Sequence, residues 1–436
     1  MKIALISPRG ALYKHTGGIW KKSLRYAPLT LTTLASLVPA ELNAEVMLVD
    51  EGVTDVDLHL DADLIGISAI TGSALRAYEL ADHYRRRGLP VILGGVHPTL
   101  MPDEAAEHAD TVVVGYAEQT FPQLLRDFSA GHLQARYVQS PDLSLANLPH
   151  PRRDLLNPHD YTTIHTSEAT RGCIHQCDFC VVPSAWGRPR HKPVAEVIDD
   201  IRQMRAKKLI FLDLNLIANV AYAKELFAAL IPLRVTWGGL ATTLIAGDDE
   251  LLDLAVRSGC RGLLIGFETL AEEALQSVRK GFNRHHEYRI VIDKLHAHKI
   301  ALMGTFVFGF DHDTKETFDQ VADFVLDSHI DLPRFAILTP FPGTPLYRKL
   351  VAEDRILTQN WSLYDGQHVV FQPYQMSPEE LWRGTEAVWK RVYRYRSIAR
   401  RLAGARVQLP LVIPANIGYR FYAYRLHQFY TCDWRN

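Results

Sequence analysis

Short apolar runs rich in β-branched residues, each followed by a helical or loop segment, recur along most of this chain, and that alternation permits few folds. Within the first 130 or so residues KIALIS, AEVMLVD, ADLIGIS, PVILGG and DTVVVG read as five buried strands. The segment from Ser73 to Gly88 reads as a helix between two of them: Ser73 caps its start, Leu75, Tyr78 and Leu80 recur near helical spacing, and Gly88 stops it. The pattern predicts an α/β chain opening with a parallel, doubly wound sheet of flavodoxin or Rossmann type over residues 1–130. From 131 to 165 it dissolves into Ser, Pro, Asn and Arg, as a linker does. It then resumes at longer intervals, with strands expected near Ile164–Ala169, Leu209–Leu212, Arg234–Trp237, Leu263–Phe267, Leu302–Phe308 and Phe335–Leu338. Six strand-helix units over 166–350 predict a partial (β/α)6 barrel whose chemistry sits at the C-terminal ends of its strands. Residues 351–436 carry no further strand pattern and read as mostly helical.

A chain of 436 residues exceeds what one hydrophobic core organises. Its 48 Lys plus Arg nearly cancel its 49 Asp plus Glu, which removes any global electrostatic reason to bind nucleic acid or an anionic membrane. No stretch approaches the roughly 20 apolar residues of a membrane span. The opening MKIALISPRG breaks at Pro8 and Arg9 before a signal-peptide core forms, so the expected location is cytoplasmic. Of five cysteines, three crowd into eight residues, an arrangement that argues against a disulfide framework and for metal or redox chemistry.

Those three are Cys173, Cys177 and Cys180 in EATRGCIHQCDFC, directly after the first expected barrel strand. Iron–sulfur clusters normally take four cysteines, so a three-cysteine loop leaves one iron open to a further ligand. The CxxxCxxC spacing at this place resembles the signature of the radical S-adenosylmethionine (SAM) superfamily. That resemblance implies a [4Fe-4S] cluster on the three cysteines. It also implies SAM chelated to the open iron and cleaved reductively to methionine and a 5′-deoxyadenosyl radical, in a site closed to water. The other reading of the same loop is a structural zinc knot in which His175 completes a Cys3His set. Cys260, at the entry to a strand, reads as a small buried hydrophobe.

Further segments resemble the family at their expected positions. LIFLDLNLIAN ends the second barrel strand with Asp213 and Asn215, which either meet SAM or merely end a strand, and Leu214 stands where relatives often carry a second acid. The resemblance adds Phe179 in the cysteine loop, Glu268 after the fourth strand, Gly304 in the fifth, where the backbone would approach adenosine, and Thr339 and Pro340 in LTPFPGTPLY after the sixth. Asp313 and Glu316 read as a helix-start capping box rather than a metal site.

The first sheet followed by GGVHPT and VGYAE resembles the cobalamin-binding domain of one branch of the superfamily, and the likeness covers nearly the whole chain. It implies cobalamin contacts from Ser68, Thr71, Gly94, Gly95, His97, Pro98, Thr99, Gly115 and Glu118. The Asp-x-His-x-x-Gly pattern that supplies a cobalt-ligating histidine is missing after the first strand, which implies a corrin without a histidine on its lower face, or a scaffold that has lost the corrin. The expected enzyme is a cobalamin-dependent radical SAM methyltransferase acting on an unactivated carbon of a small-molecule or natural-product substrate, with flavodoxin or ferredoxin as electron donor. A rearrangement, cyclisation or oxidation on the same cofactors is the alternative, and a zinc-stabilised binding protein is the alternative from another class. The tail WKRVYRYRSIARRLAGAR carries seven basic residues and an apolar stripe of Trp389, Val392, Tyr393 and Ile398. It reads as a helix packed on the barrel, or else as a surface for a membrane or an anionic ligand. GRPRHKP at 187–193 follows the cysteine loop closely enough to border the site.

Overall fold

The runs at the start of the chain are apolar on both faces, and strands of that kind pair in parallel beneath helices. A computed structural model describes residues 1–10, 26–140 and 142–426; Cys432 lies outside the described residues. The first sheet comprises β1 (Lys2–Ser7), β2 (Glu45–Asp50), β3 (Leu64–Ser68), β4 (Val91–Gly94), β5 (Thr111–Val114) and β6 (Arg136–Val138), all parallel in the order β2-β1-β3-β4-β5-β6. β6 is a strand more than the sequence predicts, and it lies inside the stretch read as linker. Three residues without alternation leave no periodic signal. The rest of that stretch is also bound down: Leu143 and Leu145 bury against Tyr116, and Arg153 bonds Asp200 at 2.7 and 2.9 Å and the Thr166 carbonyl at 2.7 Å.

The helix Ala74–Arg86 packs on this sheet through Ala77, Tyr78, Leu80, Ala81 and Tyr84, spaced three or four apart as an inner face requires. Leu75, expected on that face, is exposed instead. Ser73 holds the capping position, but its hydroxyl bonds Ile70.

The barrel strands are β7 (Thr166–Ser167), β10 (Lys208–Phe211), β11 (Thr236–Ala241), β12 (Cys260–Glu268), β13 (Ala301–Phe308) and β14 (Arg334–Ile337), with a small antiparallel ladder of β8 (Thr170–Arg171) and β9 (Arg190–His191) between β7 and β10. Six parallel strands in the order β14-β13-β12-β11-β10-β7 make the expected open barrel. Arg190 of GRPRHKP sits in the ladder and donates to the Leu143 carbonyl at 3.1 Å. Burial alternates along β12 and β13. Leu263, Ile265 and Phe267, with Leu302, Phe306 and Phe308, face the helices, while Leu264, Gly266, Met303, Thr305 and Val307 face the lumen.

The tail forms helices Pro378–Val392, Tyr395–Ala405 and Leu409–Ala423, the first closed by a capping box between Ser377 and Glu380. Trp389, Val392, Tyr393 and Ile398 are all buried, and Trp389 and Tyr393 donate to the carbonyls of Phe335 and Pro333 at 3.1 and 2.7 Å. The packed reading of the tail therefore holds. Residues 361–370 do something the sequence does not announce. Trp361, Leu363, Tyr364 and Val370 leave the barrel and complete the core of the first sheet.

Candidate active site

The cysteine loop leaves β8 through Gly172 and ends at the helix Val181–Trp186. Asp178 fastens its middle: its N–H donates to the Val278 carbonyl, its own carbonyl accepts from Leu346 N–H, both at 3.0 Å, and its carboxylate pairs with Arg279. Leu346 opens the helix Pro345–Ala352, whose N-cap Thr344 belongs to the PGTPLY turn, so the loop is clamped between the segments that follow β12 and β14.

All three thiols are free, and Cys173 and Cys180 each lie close enough to Cys177 to act on it electrostatically. Burial pushes the Cys177 thiol up to about 12 and raises that of Cys180, with Lys280 opposing both shifts. Thiols held neutral in this way become ligands when a metal displaces their protons. Among the described residues no three His, Cys, Asp or Glu side chains converge on a single metal ion. His175, the fourth ligand a zinc knot needs, instead lies flat against Phe282, ring centroids 3.7 Å apart. A cluster spreads its thiolates over separate irons and needs no such convergence.

Asn215 reaches the loop, its amide nitrogen 3.7 Å from the Cys173 sulfur, and its buried Oδ1 has no partner. An unpartnered buried acceptor beside the cysteines fits a ligand amine. Asp213 does not join it. It is fully buried and accepts from the N–H groups of Ala169 and Thr170, at 3.1 and 2.5 Å, fixing the approach to the loop; burial pushes its carboxyl up to about 7. Glu268 ends β12 at φ +67° and pairs with Lys280, a residue that sequence reasoning missed because nothing local marks it. Phe179 meets Phe310 edge-on at 6.1 Å. Gly304 faces away from the lumen toward Ile330 and Phe267, so it serves packing there. Thr339 and Pro340 are buried at the end of β14, with the Thr339 hydroxyl donating to the Ile337 carbonyl. Asp313 accepts from Gly309 and Phe310 N–H; the capping box that begins the next helix is formed by Thr314 and Thr317, not by Asp313 and Glu316.

In the first domain Ser68, Gly94, Gly95, Thr99 and Gly115 form a half-buried crest along the C-terminal ends of β3, β4 and β5, beside the exposed Ile70. Gly95 sits at φ +99° with no room for a side chain, since a Cβ would lie 2.7 Å from the Ala69 carbonyl. Thr99 accepts from Gly115 N–H at 2.9 Å and ties two of these ends together. This open edge of backbone and small side chains suits the flat face of a corrin. His97 and Pro98 lie beneath it, buried. Both ring nitrogens of His97 are engaged, by Thr71 at 3.4 Å and Glu104 at 3.3 Å, so it supports the crest and offers no free ring edge. Glu118 points at the barrel and pairs with Arg171, two residues before Cys173. Arg171 also bonds Glu168 at 2.6 Å and lies 4.9 Å above the Tyr116 ring, which stacks on Trp186. The crest and the cysteine loop are thereby fastened to each other.

Two family models match the chain, the radical SAM superfamily over residues 167–325 and the B12 binding domain over 39–125. Among curated proteins, the bacteriochlorophyllide d C-12(1)-methyltransferase of Chlorobaculum tepidum is 33% identical over 397 residues, covering 86% of this chain and 85% of that protein. The bacteriochlorophyllide d C-8(2)-methyltransferase of the same organism is 30% identical, covering 80% and 82%. Among solved structures, the radical SAM methyltransferase TsrM of Kitasatospora setae, with cobalamin and a [4Fe-4S] cluster bound, superposes with a TM-score of 0.70 at 18% identity, covering 92% of this chain and 90% of that one, and shares its fold.

Proposed function

We propose that this chain, which belongs to the cobalamin-binding branch of the radical SAM superfamily and methylates carbon with a [4Fe-4S] cluster, SAM and cobalamin, acts on a chlorin. The observation that carries the substrate class is the similarity to a bacteriochlorophyllide methyltransferase along 86% of the chain. The lumen supports it: Leu240, Leu264, Met303 and Val307 are half-buried apolar side chains that offer a dry wall to a large planar ligand. When bound, the cluster and SAM supply a radical that removes hydrogen from carbon, and the corrin supplies the methyl group.

The chain's own residues hold and orient these groups. Cys173, Cys177 and Cys180 are assigned to the cluster, Asn215 to the amine of SAM, and Glu268 and Phe179 to its neighbouring parts; the crest from Ser68 to Gly115 is assigned to cobalamin. Asp213 shapes the loop from behind. The domains read as 1–138 for cobalamin, 166–350 for the barrel and 351–426 for the returning segment and helices, with 139–165 connecting the first two. No helix among the described residues is long and apolar enough to cross a membrane. Free clustered thiols suit a reducing cytoplasm with flavodoxin or ferredoxin as electron donor.

The test is anaerobic incubation of the reconstituted enzyme with SAM, a reductant and a bacteriochlorophyllide. Mass spectrometry is expected to find the pigment heavier by one methylene, with S-adenosylhomocysteine and 5′-deoxyadenosine formed together. Deoxyadenosine without S-adenosylhomocysteine would reject methylation, and an unchanged panel of chlorins would reject the substrate class.

A further inference from the structure

Lys280 is a buried cation outside every motif described above. Its ammonium bonds the Glu268 carboxylate and lies 5.8 Å from the centre of the Phe179 ring and 5.7 Å from that of Phe282. Both rings belong to the wall of the cysteine loop. Phe179 stands between Cys177 and Cys180, and Phe282 carries His175, which stands between Cys173 and Cys177. The pair is built with effort. Glu268 adopts a left-handed backbone that a side chain disfavours, and a Cβ on Gly266 would fall 2.2 Å from the Glu268 carboxylate and 3.1 Å from the Lys280 nitrogen. A buried ion pair seldom stabilises a fold more than apolar residues of the same volume would. Its position behind the aromatic wall of the cysteine loop gives it another use.

We propose that Lys280 raises the reduction potential of the cluster, with Glu268 holding the ammonium in place. Three thiolates leave the cluster centre negative, and reduction adds a further electron. A fixed cation in a poorly screened site favours the more negative state. The ammonium faces the Phe179 ring of the cysteine loop while Glu268 bonds it from the end of β12, so the cation is the member of the pair set toward the loop. The aromatic faces exclude water without competing for the ammonium as carboxylates would. This inference rests on the cysteines carrying the cluster.

The experiment is an EPR-monitored potentiometric titration of the reconstituted enzyme without SAM, comparing the parent with Lys280→Met, Lys280→Arg and Glu268→Gln. Lys280→Met is expected to lower the equilibrium constant for reduction at least tenfold, a shift of about 59 mV to more negative potential for one electron. Lys280→Arg should stay near the parent and Glu268→Gln should move the other way. Lys280→Met with four irons and the parent potential overturns the proposal. Should that variant fail to hold iron, Glu268→Gln decides: a positive shift supports the proposal and an unmoved potential overturns it. A parent protein that never takes up four irons overturns the cysteine assignment itself, a failure visible before any variant is compared.

Discussion

A carboxyl group buried without a counter-charge records what its loop requires. Asp313 accepts from Gly309 and Phe310 N–H at 2.8 and 3.0 Å and so closes the turn after β13. Burial pushes its pKa up to about 7 despite those bonds. Below the ordinary carboxylate range both folded and unfolded chains keep this proton. Between that range and about pH 7 the unfolded chain has released it and the folded chain has not, so stability falls as pH rises through the window and the slope ends above it. Asp313→Asn retains an acceptor for both N–H groups and loses the titration. Urea midpoints at about pH 5 and about pH 7.5 should therefore differ less in the variant than in the parent, with a residual slope from Asp213, which shares the window. Equal slopes in the two proteins would show that Asp313 ionises in the folded state as freely as in solution. At this scale the sequence reveals identity but not partner. Asp213 and Asn215, two residues apart, look alike as strand-end polar groups, yet one is consumed by backbone and the other is left open beside Cys173. Lys280 pairs with an acid twelve residues earlier, a contact made only once the loop after β12 has folded back.

Elements were legible wherever a pattern was local. The β-branched runs of β1 to β5 and the apolar periodicity of the tail each lie within a short window, and each predicts what forms. β11 was misjudged for a physical reason. The expected strand Arg234–Trp237 is in fact Thr236–Ala241, and its centre is Gly238-Gly239, residues of poor strand propensity that are admitted because Gly238 faces the Gly262 carbonyl and Gly239 faces Phe211. Glycine carries a different duty at the top of β4. The φ of +99° and ψ of −167° at Gly95 belong to a region that side chains scarcely visit, and a Cβ would meet the Ala69 backbone on two sides. Gly95→Ala should cost about 2 kcal/mol or more in urea unfolding. It should also lower the corrin-to-iron ratio after reconstitution, because the crest deforms while the cysteine loop does not. A variant that binds corrin as the parent does would remove the crest from the cobalamin site.

Two of the junctions between the sheets differ in how far the sequence announces them. Trp361 returns from beyond the barrel to donate to Glu104 at 2.8 Å beneath the crest, a link between residues 257 positions apart that no sequence window contains. The second junction is Arg171, anticipated only in that GYAE and TRGC both carry the family likeness. Its guanidinium is buried between Glu118 of the first domain and Glu168 of the barrel and lies over Tyr116. Removing it would leave the buried Glu118 and the half-buried Glu168 without this cation, and breaking a buried pair from one side costs about 3–5 kcal/mol. Arg171→Met should therefore unfold at lower urea and expose 139–165 to protease, while Arg171→Met with Glu118→Gln should regain part of the loss. Lysine in its place would restore the charge but not the fork that reaches both acids, and should fall between. Should Arg171→Met unfold at the parent midpoint, the remaining contacts, the Trp361 return and the Thr166–Ala27 bond among them, would hold the domains. Substitution of Trp361 would then be the next change to compare, because its bond to Glu104 ties the segment after the barrel to the first sheet.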